Sequence, residues 1–257
     1  MTLAMLLVLR AAITSGVPAD DPAVVALPSG SRTHCTGTLI APRWVLTAAH
    51  CAVSDLPAEV RFTPEGALPV EAVHVHPRFE PATLARDVAL LRLGEASALP
   101  PLRIRAYPGL LPGDLLRVVG WGDGEKLSGT ARVTQVDDLE VRVEAAPSQP
   151  CRGDSGGPAL ATLEGGEVLM GVVSSGDPQC AAFARLVRVD GVTDDFVALH
   201  VPEALGGCTV AGRGDASPWA PLLLALSAAA ARAPGARCAR SRPRCDARRS
   251  GTRACRR

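Results

Sequence analysis

Apolar residues in the first two hundred positions come in short runs, not in long stripes. Val24 to Leu27, Glu59 to Phe62, Val70 to Val75, Val88 to Leu93, Leu115 to Val119, Leu139 to Val143 and Val168 to Val173 read as strands. Pro-Gly, Gly-Asp and Asp-Gly pairs punctuate them as turns. Leu139, Val141 and Val143 alternate with Glu140, Arg142 and Glu144, the signature of a strand with one wet face. Helical periodicity is confined to Thr193 to His200, where the Thr193 hydroxyl is expected to cap a short helix. The pattern predicts an all-β chain, barrel or sandwich, ending in a short helix.

The chain has 257 residues, 47% of them apolar, enough for a buried core and too many for extensive disorder. Its 25 Gly and 22 Pro follow no period, which excludes collagen-like and heptad architectures. Lys126 is the only lysine and Asn is absent, a bias that points to a GC-rich genome more than to function. The net charge of +1 conceals a division. Residues 1–207 hold 16 basic and 24 acidic side chains, a balance of −8, whereas residues 208–257 hold 11 and 2, a balance of +9. An acidic body argues against nucleic-acid binding by that part.

The two ends differ from the body. Residues 1–12 carry an apolar run from Leu3 to Leu9 broken by Arg10, and read as the end of a secretory signal or a pro segment. A linker is expected over 205–217, followed over 218–257 by a short apolar helix and an Arg-rich tail. The apolar stretch from Pro218 to Ala231 has 14 residues, fewer than the roughly 18–20 of a spanning helix, and ten arginines follow it. Gly207-Cys208, the small spacer, Leu222 to Leu226 and the arginines resemble the myxobacterial C-terminal sorting tail. That resemblance implies processing or lipid modification at Cys208 and attachment to a membrane or the cell envelope. It places the protein outside a bacterium, secreted or on the cell surface.

Three segments carry the chemistry: Cys35 to Cys51, ending in Thr47-Ala48-Ala49-His50-Cys51; Arg86-Asp87-Val88-Ala89-Leu90-Leu91; and Cys151-Arg152-Gly153-Asp154-Ser155-Gly156-Gly157-Pro158. They supply a base, a carboxylate at the head of an apolar strand, and a hydroxyl nucleophile. A serine hydroxyl is inert at neutral pH unless an imidazole takes its proton during attack. The imidazole in turn needs a carboxylate to fix its tautomer and stabilise its cation. Glycines around Ser155 free backbone N–H groups to face a developing oxyanion.

These segments, with Gly120-Trp121-Gly122 and Gly171 to Gly176, resemble the trypsin/chymotrypsin-type serine endopeptidases over about residues 13–200. The resemblance implies two packed six-stranded antiparallel β-barrels over 13–204, a monomer acting on polypeptides without a cofactor or metal. It assigns His50, Asp87 and Ser155 as catalytic, and the Gly153 and Ser155 N–H groups as an oxyanion hole. It pairs Cys35 with Cys51 and Cys151 with Cys180, bridges that persist in an oxidising compartment. It implies activation by cleavage after Ala12, the new Ile13 terminus pairing with Asp154. Gln149, Arg152, Ser174, Ser175 and Gly176 fall at the substrate pocket. With Gln149 at its floor, neutral, polar or mid-sized side chains are expected, while Arg152 at the mouth favours an acidic or polar group.

His34, His74, His76 and His200 lack metal-type companions, and Cys238, Cys245 and Cys255 lack zinc spacing. No acidic loop has the ligand spacing of a calcium site. Two other classes of function compete. One is a catalytically silent protease-like binding module at the cell surface; the other is adhesion through Arg213-Gly214-Asp215, a tripeptide that a spacer of small residues yields by composition.

Overall fold

The computed structural model describes residues 12–29, 32–54, 56–63, 65–104 and 109–205. A short strand, β1 (Val17–Pro18), precedes six strands: β2 (Val24–Ser29), β3 (Arg32–Ala41), β4 (Trp44–Thr47), β5 (Glu59–Phe62), β6 (Gly66–Val75) and β7 (Ala89–Leu93). These close into an antiparallel barrel in the order β2-β3-β4-β7-β6-β5, with Ala26 opposite Arg61 at the closure. After β8 (Arg103–Ile104) come β9 (Leu115–Gly120), β10 (Leu127–Val136), β11 (Glu140–Ala145), β12 (Pro158–Leu163), β13 (Gly166–Gly176) and β14 (Ala184–Arg188). They form the second six-stranded barrel, closed between β9 and β10, with β1 and β8 attached at its margins.

Continuous apolar runs and alternating ones have different destinations. In β7, Ala89, Leu91 and Leu93 fill the first barrel, while Leu90 points to a separate cluster between the barrels. In β13, Met170 and Val173 fill the second barrel, while Leu169 and Val172 join that same intervening cluster. Strands covered on both faces therefore read as unbroken hydrophobic runs. In β11 only Val141 and Val143 are buried; Arg142 and Glu144 face water, as their alternation requires.

The terminal helix completes the intervening cluster with Val192, Phe196, Val197 and Val201. It starts earlier than Thr193, as an α turn (Asp190–Val192) that runs through a π segment (Thr193–Val197) into a second α turn (Ala198–His200). Thr193 does not cap it: its Oγ1 donates to the Val189 carbonyl at 2.7 Å. Such back-bonding satisfies a buried hydroxyl inside a helix. Both disulfides form, Cys35–Cys51 and Cys151–Cys180. Among the described residues no helix is long and apolar enough to cross a membrane. Residues 1–11 and 206–257, with the signal, sorting and anchor expectations and Cys208, lie outside the described residues.

Histidines line the seam between β6 and the helix. The His74 ring lies 5.6 Å from Trp44 and 4.8 Å from His200, and His76 packs 5.0 Å from Phe196. His76 is fully buried at its side chain, accepting from the Arg78 N–H on Nδ1 while Nε2 faces Asp195 at 3.5 Å. Burial holds the pKa of both His74 and His76 below the ordinary imidazole value; His200 and Arg92 add to the effect at His74, whereas Asp195 opposes it at His76. The folded state therefore resists protons that the unfolded chain accepts. Stability is full above about pH 6.5 and falls as pH drops below it. Thermal melts from pH 8 to pH 5 should show this decline, and His74→Phe should flatten it; an unchanged slope would remove His74 as a source of it.

Candidate active site

The site forms where the loop between β11 and β12 meets the first barrel. His50 opens a short helix, α1 (Ala49–Ser54), directly after β4, and Asp87 precedes β7. Strands β4 and β7 pair with Thr47 opposite Ala89, so their ends bring the two side chains together. Asp87 is completely buried. Its Oδ1 accepts the His50 backbone N–H at 2.8 Å, and its Oδ2 accepts His50 Nδ1 at 2.7 Å and Ser174 Oγ at 2.6 Å. Three donors offset the desolvation of this carboxylate. They also place the proton on Nδ1 and leave Nε2 as the basic nitrogen.

Ser155 sits in a loop that β3 holds from the other barrel. The Thr36 N–H donates to the Ser155 carbonyl at 2.8 Å, and Thr36 Oγ1 donates to the Gly153 carbonyl at 2.9 Å. Thr36 Oγ1 also accepts the Trp121 N–H at 2.9 Å, and Thr47 Oγ1 donates to the Thr36 carbonyl at 2.7 Å. Fixing the Gly153 carbonyl fixes the peptide planes around it. The N–H groups of Gly153 and Ser155 donate to no protein acceptor among the described residues. Ser155 Oγ lies 3.5 Å from the Ser174 carbonyl and makes no hydrogen bond to the imidazole in this conformation.

Asp154, beside Ser155 in sequence, is fully buried. Its Oδ1 accepts the Gly122 N–H at 3.0 Å and its Oδ2 the Cys151 N–H at 2.8 Å, tying the loop to the Gly120-Trp121-Gly122 turn. Ala12 and Ile13 are 5% and 3% exposed and pack in the second barrel's core cluster. The Thr14 N–H donates to the Gln149 carbonyl at 2.9 Å, and Thr14 Oγ1 accepts the Gln149 N–H at 3.0 Å. The N-terminal segment thus lies alongside the segment leading to Ser155.

A cavity of about 260 Å³ opens beside Ser155, with Arg152, Ser174, Ser175 and Gly176 in its walls. Gln149 is not in its lining; the side chain is fully buried. Its Nε2 donates to Asp177 Oδ1 at 3.1 Å, and its Oε1 has no partner among the described residues. An unpaired buried acceptor costs about 1–3 kcal/mol. Asp177, which does line the cavity, was not singled out from the sequence, although it directly follows Gly176. Thr36 and Thr47 were likewise unassigned within their motifs. A signal existed for each: a hydroxyl in a small-residue strand beside the histidine motif, and an acid at a turn before Pro178.

A model of the trypsin family matches residues 13–190. Human kallikrein-15 is 29% identical over 208 residues, 63% of this chain and 78% of that protein. Human granzyme M is 29% identical over 201 residues, 64% and 77% of the two chains. Human serine protease 56 is 32% identical over 200 residues, 62% of this chain but only 33% of that longer protein.

The loop glycines give a test of the clamp. Gly156 has φ +84°, and a Cβ there would lie 2.1 Å from both the Thr36 carbonyl oxygen and Thr47 Oγ1. Gly156→Ala should cut turnover of an ester substrate by at least ~10²-fold, the order lost with one oxyanion donor. Gly166→Ala, also at positive φ but with nothing within 4 Å, should lose stability and keep turnover. Equal turnover in the two variants would mean that the clamp does not set the loop.

The match extends over more than half of the sequence and spans both barrels and the site, so the chain belongs to the trypsin family of serine proteases.

Proposed function

We propose that the protein is an exported serine endopeptidase in which Ser155, His50 and Asp87 hydrolyse peptide bonds through an acyl-enzyme. The observation that carries this reading is the buried Asp87 carboxylate, bonded at once to the backbone and ring of His50 and to Ser174. Rotation of the Ser155 side chain from the Ser174 carbonyl to His50 Nε2 sets up attack. The hydroxyl oxygen bonds to the substrate carbonyl carbon as Nε2 takes its proton, and the carbonyl oxygen becomes an oxyanion. The Gly153 and Ser155 N–H groups receive that charge, each contributing on the order of 3 kcal/mol in the transition state. The imidazolium gives its proton to the leaving amine, the C–N bond breaks, and water repeats the sequence to release the acid. Ser175 and Gly176 offer the extended backbone beside the cavity to a substrate strand, and Gln149 and Arg152 flank the side-chain pocket.

Cleavage after Ala12 generates the working form in this reading. A free Ile13 ammonium would pair with the acidic Asp154 and hold the nucleophile loop in order, an order–disorder switch. Support comes from the burial of Ile13 and from the Thr14–Gln149 bonds that seat it. Export is supported by two disulfides, which persist where thiols are not kept reduced. The catalytic body then comprises residues 13–204 of a monomer, joined by a linker over 205–217 to an apolar, Arg-rich segment over 218–257. Processing at Cys208 and envelope attachment complete the proposal.

A fluorophosphonate probe tests the enzyme directly. The exported, processed protein should label at Ser155, Ser155→Ala should not, and Asp87→Asn should lower turnover by ~10⁴-fold. Absence of labelling in correctly matured protein would favour the silent binding module. For the tail, fractionation of cells carrying Cys208→Ser or a deletion of 208–257 should show release to the medium; unchanged location of both would end the sorting proposal.

A further inference from the structure

The cavity beside Ser155 contains a carboxylate without a counter-charge. Asp177 Oδ1 accepts the N–H groups of Ala182, Ala181 and Phe183 at 2.8, 3.0 and 3.0 Å, and Gln149 Nε2 at 3.1 Å. Its Oδ2 accepts only the Ala181 N–H, at 3.1 Å, a donor already shared with Oδ1. A carboxylate offers about four lone-pair sites, so Oδ2 keeps acceptor capacity. None of the ion pairs among the described residues includes Asp177.

The surrounding donors keep this group ionised. The Phe183 N–H, with those of Ala181 and Ala182 and the Gln149 amide, brings its pKa down to about 2. Dipoles of this kind stabilise a charge without cancelling it. An ionised carboxylate can only accept, so it forces the Gln149 amide to present Nε2 and leaves Oε1 buried and unpaired. Gln149 is therefore a positioning residue, which ties the segment before Cys151 to the loop before Cys180 alongside the disulfide that joins those cysteines.

The cations nearby do not compensate. Arg142 and Arg185 lie over the Phe183 ring, 4.1 and 5.7 Å from its centroid. Arg152 lines the cavity, but its side chain is exposed and free to turn to solvent. A fixed charge acts on an entering group more effectively than a mobile, hydrated one. A cavity of about 260 Å³ suits a single side chain.

We propose that Asp177 is a specificity-determining residue, whose carboxylate, held in the cavity wall by the buried Gln149 amide, selects a substrate residue with a cationic hydrogen-bond donor: an ammonium or a guanidinium. This rests on the serine endopeptidase reading, and it departs from the neutral preference that Gln149 alone implies. The charge comes from the loop after β13, not from the segment that precedes the nucleophile.

The full, processed chain is first labelled with the fluorophosphonate; failure to label defeats the endopeptidase reading itself, whereas the role of Asp177 is judged on protein that labels. With labelled-fraction normalisation, kcat/KM is measured on peptides differing only at the cleaved residue: Lys, Arg, Gln, Met and Glu. The basic peptides should exceed Gln and Met at least ~10-fold, and the ratio should shrink between low and high salt, as screening demands. In Asp177→Asn the Lys-to-Gln ratio should fall at least ~10-fold toward unity, whatever happens to overall turnover. A wild-type preference for Glu, no basic preference, or an unchanged ratio in the variant overturns the proposal. If the variant does not fold, inhibition of the wild-type enzyme by benzamidine is compared with that by neutral benzamide, the near-isostere. The amidinium should bind at least ~10-fold more tightly, and equal inhibition overturns the proposal.

Discussion

Thr36 joins the two barrels by polar contacts across their hydrophobic seam. Its N–H and hydroxyl reach across to the carbonyls of Ser155 and Gly153, so β3 of the first barrel sets the backbone of a loop belonging to the second. His50 and Asp87 are fixed by β4 and β7 of that same first barrel. The placement of His50 relative to Ser155 therefore depends on this contact. A shift of about 1 Å at the seam would separate them, and reactions that depend on near-attack geometry lose rate steeply with such displacements. The intervening cluster of Leu46, Leu90, Val119, Leu160 and Val172 prevents that shift, with the helix residues Phe196 and Val197 sealing it.

Burying Asp87 follows from the same arrangement. A carboxylate with no exposure loses its hydration and must recover it from fixed donors. Two donors come from His50 and one from Ser174, which belongs to β13 of the second barrel. The Asp87 carboxylate is thus bonded from both barrels, and the Ser155 loop is likewise held across the seam. Each barrel fails to complete the site alone, which explains why the polar groups at the seam are satisfied across it.

Much of this was legible in the residues because their periodicity and their chemistry agree. The run Val88 to Leu93 and the alternation Leu139 to Val143 gave strands close to the observed bounds, since side-chain period follows which faces are covered. Strand β10, with Ser128, Gly129, Thr130 and Gln135, offers no such contrast and was not anticipated. Only pairing with β9 and β11 holds it extended, and that information is nonlocal. Thr193 was placed on the right helix in the wrong role, because a hydroxyl at a helix start and one bonded back to the preceding turn have the same local sequence. The cysteine pairs that the resemblance implied form in the structure, and His50, Asp87 and Ser155 stood out in their motifs. Asp177 was not, because its place in the cavity depends on Gln149, 28 residues away in sequence.

The pocket shows why substitution at one position is an unreliable guide to charge. A side chain acts through the field it creates, and that field depends on which groups the fold brings near and which are free to move away. Gln149 carries no charge, yet its amide fixes one that does. Arg152 carries charge at the rim, yet its exposure leaves it hydrated. Glycine at 176 and the left-handed turn at Cys180 (φ 53°) let the chain fold back, so that the N–H groups of Ala181 to Phe183 converge on one carboxylate. An isolated pair of residues would not hold an anion in this place; the loop does so because its own backbone donors, otherwise unsatisfied, require an acceptor there. The electrostatics of the cavity thus follow from how the chain meets its backbone hydrogen-bonding needs after β13.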